Sequence, residues 1–426
     1  MEKSLLLWRP LAQVKYHTLS DRSWDKQRFV ARPLSRPWKG KLQPLLAINE
    51  SRLFVSAGYT LYSYVFAPSE HEGATPGISF EASYQFHHQG QDAPRNDITG
   101  LVCAQDDGSD RTLFIGFENG ELQRVRIPPC NPGQVDLPID ASFRTSFNYH
   151  NGELIEALTV SGDSLLSISM NGKAGLLNIS SPAPSVQDTI DLDTRAWSAL
   201  LSTSASTPFA ALGTSSDTPL TIHAITPTSI SAIPTMKLYS SQHQNDSALE
   251  RPTAVYGIAS APPTSPWGAS DQIIVSGWFE GIVCVHDMRV SSAPTLTFFD
   301  PWSFEPIYAL ACGGGGGAHI AAGSARHAVV AFWDVRAANR GGWSVHAPGN
   351  DSSPVYSILL ESSRLFGATQ SRPFVYDFGP SVKLETYPSL PSTRKKDGLS
   401  YKGGDRVGFR VTKYDHPAVK VHPGDH

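Results

Sequence analysis

Ala322-Gly323-Ser324, a four-residue interval, then Val329-Val330-Ala331-Phe332-Trp333-Asp334 is the stretch that decides the fold. Two short runs of small and apolar residues flank a polar turn. They read as paired strands, the second ending on an aromatic residue followed by Asp. The same order recurs nearby. Val275-Ser276-Gly277 leads through Glu280-Gly281 into Ile282-Val283-Cys284-Val285-His286-Asp287, and Phe366-Gly367-Ala368 leads into Phe374-Val375-Tyr376-Asp377. Before each stands a first strand of apolar, aromatic, small, apolar order: Ile307-Tyr308-Ala309-Leu310, Val255-Tyr256-Gly257-Ile258 and Val355-Tyr356-Ser357-Ile358. Ala196-Trp197-Ser198-Ala199 repeats that order upstream.

Weaker copies extend the series toward the N-terminus. Ile98 to Ala104 and Leu113 to Gly116 turn at Asn119-Gly120 and return to Ile127; Leu154 to Val160 and Leu165 to Met170 turn at Asn171-Gly172 and return to Ile179. Asn-Gly favours a type I′ hairpin, which needs positive φ at both central residues. First strands at Leu45, Ile98, Leu154, Ala196, Val255, Ile307 and Val355 make seven units. A small antiparallel sheet cannot bury both of its faces alone, and radial stacking buries them between neighbours. The expected fold is therefore all-β, a seven-bladed WD40-type β-propeller with a short N-terminal helical or extended segment and an irregular C-terminal tail. Fourth strands are expected at Tyr84 to Phe86, Phe143 to Tyr149 and Thr295 to Phe299. The segment from Phe29 to Trp38 is preferred over Val382 to Tyr387 as the strand that closes the last unit. The repeats are degenerate: Trp278 stands where a WD repeat usually has Ser, His286 where it has Trp, and only Trp333-Asp334 keeps the pair. Hydrophobic packing must then hold most blades.

Composition agrees. A chain of 426 residues exceeds the roughly 250–300 at which one core stops growing, so it must divide or repeat. With 40% hydrophobic and 17% charged residues it is a globular chain rather than a disordered one. The formal charge of −4 offers no field for nucleic acid. Four cysteines without C-x-x-C spacing read as reduced thiols, there is no secretory leader, and no apolar run approaches the ~20 residues of a membrane helix. The expected location is the cytoplasm, the nucleus or both, without membrane contact. Gly313 to Gly317 lacks a following Lys-Ser or Lys-Thr, so it reads as a flexible hairpin loop rather than a phosphate cradle. No catalytic motif stands out, His87-His88 read as solvent-facing rather than metal-binding, and neither enzyme activity, cofactor nor metal is expected.

The last third of the chain resembles a family. Ser353 to Leu360, Arg364-Leu365-Phe366 and Val375 to Phe378 look like the closing blade of dactylin-type F-box/WD-repeat proteins; Gly323-Ser324 with Val329-Val330 and Trp333-Asp334, separated by a lengthened turn, is similar to their sixth blade. Arg195 to Ser198 with Thr218-Pro219-Leu220 is similar to a middle blade. Leu5, Leu6, Leu7, Trp8 and Arg9 resemble the final turn of an F-box, whose earlier part is absent; the competing reading is a short amphipathic helix packed on the propeller. The resemblance implies residues 1–39 as F-box remnant and linker, 40–390 as propeller and 391–426 as a basic, solvated tail with eight Lys/Arg against four Asp/Glu. It implies the substrate-recognition subunit of an SCF-type cullin-RING ubiquitin ligase. Its partners would be a protein target and, were the F-box completed upstream, the SCF adaptor. The alternatives are a WD-repeat scaffold unconnected with ubiquitin and, last, a propeller hydrolase.

A binding surface is expected on the face that carries the second-to-third-strand turns and the residues before each first strand. Phe279 and Glu280 lie at one such turn, Arg326 and His327 at another, and Arg195 and Arg251 precede first strands. Aromatic and Arg side chains without a core to fill are the usual interface anchors.

Overall fold

The computed structural model describes residues 8–67, 71–86, 97–106, 108–181, 184–240, 253–262, 270–349, 351–390 and 405–417. Blades are numbered here from the one that begins at Leu45–Ile48. Their first strands continue with Ile98–Cys103, Ile155–Ser161, Ala196–Ser202, Thr253–Ser260, Ile307–Gly313 and Val355–Glu361. Each pairs antiparallel with the second strand, the second with the third, and the third with an outer strand, so among the described residues there are seven such sheets. A two-residue bridge, Ser215 to Ala254 and Ser216 to Thr253, joins blades four and five. First strands meet their counterparts around a closed circle, Val355–Glu361 returning to Leu45–Ile48. They are the innermost strands.

The core lies between blades, as two-faced sheets require. Leu53, Val55 and Tyr64 of blade one pack with Phe366, Ala368 and Val375 of blade seven. Ile273, Val275 and Val283 of blade five pack with Ile320, Ala322 and Trp333 of blade six. Trp333 stacks on Phe298 of the preceding blade, ring centroids 5.7 Å apart. At the degenerate positions the replacements are buried and hydrogen-bonded: Trp278 donates its Nε1–H to Ser276 Oγ at 2.9 Å, and His286 Nε2–H donates to the Tyr239 carbonyl at 3.0 Å.

Val30–Pro33 closes the ring, pairing antiparallel with Pro373–Asp377. Val382 to Tyr387 makes no strand; it forms a short 3-10 turn that buries Tyr387. The outer strands Gly77–Gln85, Arg144–Phe147 and Leu296–Phe299 stand where fourth strands are expected. The Asn-Gly turns differ from expectation. Positive φ falls on the glycine alone, +82° at Gly120 and +94° at Gly172, and each glycine N–H donates to the carbonyl three residues back, Phe117 or Ser169. That is a type I turn finished by a left-handed glycine.

Two terminal segments are more structured than the sequence reading implies. The helix α1, Pro10–Asp25, buries Tyr16, Ser20 and Trp24, one residue per turn of a single stripe. Trp24 stacks on Phe378 at 3.6 Å, and the Tyr16 hydroxyl shares a hydrogen bond of 2.6 Å with Ser363 Oγ. The helix thus sits over blades six and seven, on the face of the first-to-second-strand loops. It explains the glycine run: a Cβ on Gly314 would lie 2.5 Å from the Trp24 ring, and one on Gly315 2.5 Å from His319. The loop is a packed seat for Trp24 rather than a flexible hairpin. At the other end the tail is not simply solvated. Lys413–Asp415 adds a fifth strand to blade six, and the Asp405 carboxylate pairs with the buried Arg32 at 2.7 Å. Arg32 also donates to the carbonyls of Pro388 and Arg406. Backbone pairing and a buried guanidinium outweigh the tail's charge.

Candidate functional site

In blades two to seven the pairing of first and second strands skips one residue near the start. The skipped residues are Thr99, Glu156, Trp197, Tyr256, Tyr308 and Tyr356. A bulge leaves its extra residue unpaired and re-aims the side chain. All six line one cavity of about 720 Å³ at the mouth of the ring. The second position of the repeated motif is therefore a projection site, and its occupant sets the character of the mouth.

The mouth has two sectors. In blades four to seven the projected residues are aromatic and touch in sequence: Trp197 to Tyr256 at 4.8 Å and 77°, Tyr256 to Tyr308 at 5.2 Å and 69°, Tyr308 to Tyr356 at 6.1 Å. Ser215 Oγ accepts from Trp197 Nε1 at 2.6 Å, and Gln370 Nε2 donates to the Tyr356 hydroxyl at 3.0 Å, so hydrogen bonds hold both ends of the row. Across the mouth stand Asp97, Glu118 and Glu156. Burial pushes the Glu156 carboxyl up to about 7, with Arg195 pulling against it. Arg195 joins the sectors: its guanidinium lies 3.7 Å from the Trp197 ring centroid and 3.6 Å from Glu156.

Of the residues expected to face a partner, Arg195 lines the mouth. Phe279 stands on its rim, 51% exposed and 6.4 Å from Tyr256 by ring centroid, with Glu280 half-buried beside it. Arg326 is exposed and pairs with Glu305 at 3.6 Å. His327 has φ +64° and lines a neighbouring groove with Trp302, Phe304, His346 and Tyr414. Trp302 and Phe304 are 68% and 78% exposed and were not anticipated. Arg251, His87 and His88 lie outside the described residues, as do Leu5, Leu6 and Leu7. Trp8 is buried against Tyr16, their rings edge to face at 5.4 Å, while Arg9 reaches Glu72 at 2.8 Å. Trp8 thus precedes the helix and packs against its first turns. The aromatic projections had been visible only as repeat markers. What sequence alone hid is the bulge that turns them toward the channel.

His150 Nε2 and Ser167 Oγ share a 2.7 Å hydrogen bond, the pairing a nucleophile would need. Both are fully buried, burial pushes the imidazole down to about 4, and Nδ1 has no partner among the described residues to orient it, so the pair is interior packing. Among the described residues no group of three His, Cys, Asp or Glu could hold a metal ion, and no helix is long and apolar enough to cross a membrane.

No protein-family model matches the chain, and no curated protein matches it. Among solved structures it is similar to the WD40 β-propeller domain of Doa1, with a TM-score of 0.53 and 15% identity over 82% of this chain and 97% of that one. The fold is a WD40-type β-propeller.

Proposed function

We propose that the chain is a protein-binding propeller whose partner-facing surface is the channel mouth with the aromatic rim beside it. One observation carries this: six blades project one side chain each into a single cavity, four of them aromatic. Phe279, Trp302 and Phe304 extend that aromatic character onto the exposed surface, where they have no core to fill. Exposed apolar groups of this kind beside charged ones mark interaction sites, and aromatic anchors dominate their energetics. Such a protein acts by raising the effective concentration of one partner near another.

The finer reading is the recruitment of a target to an SCF-type ligase, supported by the resemblance of Leu5 to Arg9 and of the last blades to F-box/WD-repeat proteins. A specific interface draws on roughly 20–30 residues a side, so Leu5 to Arg9 alone would hold the adaptor weakly or not at all. Ubiquitination of the mouth-bound partner in a ligase reconstituted with a complete F-box fused ahead of the chain supports this reading; its absence there favours the ubiquitin-independent scaffold.

The aromatic rim beside the mouth is tested by photo-crosslinking in cells. A benzophenone side chain at position 304 should join the chain to a discrete partner, and the same group at Ile233, equally exposed on blade four's periphery at 79%, should not. Equal yields at both positions would refute the assignment.

A further inference from the structure

We propose that the channel mouth receives an arginine side chain from an extended segment of a partner protein. Its guanidinium would lie against Tyr256, Tyr308 and Tyr356 and face the acidic sector of Asp97, Glu118 and Glu156. This rests on the protein-binding reading above and names the chemistry of what is bound.

The ring faces and the carboxylates agree in sign. An aromatic face is the negative end of its quadrupole and attracts a cation within about 6 Å. Trp197, Tyr256 and Tyr308 meet at 77° and 69°, so successive rings present walls at steep angles to one another rather than one flat plate. Besides the Arg195–Glu156 pair, two further carboxylates, Asp97 and Glu118, line the same cavity against the single Lys41. An acidic or phosphorylated segment would bring like charge to that sector. A purely apolar one would take water from the carboxylates without replacing it.

Arg195 shows the interaction in miniature. It holds a guanidinium 3.7 Å over an indole while reaching a carboxylate at 3.6 Å, and its side chain remains 45% exposed. It covers Trp197 and leaves the three tyrosines to a visitor. A guanidinium suits them better than an ammonium, because it is planar, stacks on rings and is more weakly hydrated.

The test selects a phage-displayed random dodecamer library on the intact chain. Recovered peptides are then synthesised with each arginine retained, changed to lysine, or changed to citrulline, which keeps the shape and removes the charge. Titrations use the wild-type chain and Tyr308→Ala, Tyr308→Phe and Tyr256→Ala variants checked for an unchanged melting midpoint. Expected are arginine-bearing peptides that weaken roughly ten-fold on citrulline substitution, less on lysine, and that tolerate Tyr308→Phe but not Tyr308→Ala. Peptides weakened by Tyr308→Ala but indifferent to citrulline would overturn the arginine assignment while leaving the mouth as a protein site. Peptides indifferent to both alanine variants, or no peptide at all, would count against the mouth itself.

Discussion

Replacing Asp377 with alanine is expected to destabilise the propeller by about 3–5 kcal/mol, the usual cost of leaving a buried charge without its partner. Arg364 Nε donates to Asp377 Oδ2 at 2.7 Å, and both side chains are fully buried. The same carboxylate accepts from the Tyr387 hydroxyl and, at 2.7 Å, from the Gly379 N–H. Without it the guanidinium keeps its charge, since arginine does not deprotonate in proteins, and a neutral acceptor such as the Pro76 carbonyl cannot replace the carboxylate. Asp377 also stands opposite Val30 in the closing strand, so the loss falls on the seam of the ring. The double replacement Arg364→Leu, Asp377→Leu should recover much of it, because two apolar side chains need no partner. By contrast, Arg336→Ala, which breaks an exposed pair with Asp334, should cost less than about 1 kcal/mol. Urea denaturation midpoints check all three. Near-equal effects of Asp377→Ala and Arg336→Ala would contradict the seam.

Trp24→Ala should cost about 3–5 kcal/mol, in the range for truncating a buried tryptophan. Trp24 is 1% exposed, lies flat on Phe378 and fills the seat made by Gly314 and Gly315. Removing it leaves a hole on three sides and releases the C-terminal half of α1. Limited proteolysis should therefore cut between Asp25 and Val30 in the variant and spare the wild type. Trp24→Phe should cost far less: it retains a ring on Phe378 and removes an indole N–H that finds no acceptor among the described residues. Resistance of Trp24→Ala to proteolysis would mean that α1 is held elsewhere. The Trp24 and Asp377 sites share the end of blade seven, so the two losses are not expected to add.

Much of the fold was legible because its cause is local. Apolar, aromatic, small, apolar order marks a strand wherever it stands, and Val30 to Pro33 could be recognised as a closing strand because the last blade lacked an outer edge. The termini were less legible. Tyr16, Ser20 and Trp24 repeat every four residues, which is a helix stripe, but the segment is otherwise polar and its partner surface lies over 290 residues away in sequence. The tail reads as charged because Lys413 and Asp415 are; its strand depends on an unpaired edge at Gly342–His346 that no local pattern announces. The candidate site fell between these cases. Phe279 and Arg195 could be placed from turn and pre-strand positions. Tyr256, Tyr308 and Tyr356 stand out in the sequence only as repeat markers, since strict alternation has no way to show that a bulge at that position turns each one inward to the channel.

The most direct test of the partner-binding mouth is the affinity of the partner crosslinked from position 304, measured for the wild type and for the triple variant Tyr256→Ala, Phe279→Ala, Tyr308→Ala. Side chains that anchor an interface cost about 2 kcal/mol or more on truncation, so the triple variant should bind at least about thirty-fold more weakly while melting at the wild-type midpoint. The pair Leu11→Ala, Val14→Ala, on the exposed side of α1 at 81% and 63% exposure, should bind as the wild type does. Wild-type affinity in the triple variant, or loss of binding in the α1 pair, would contradict a partner site at the mouth.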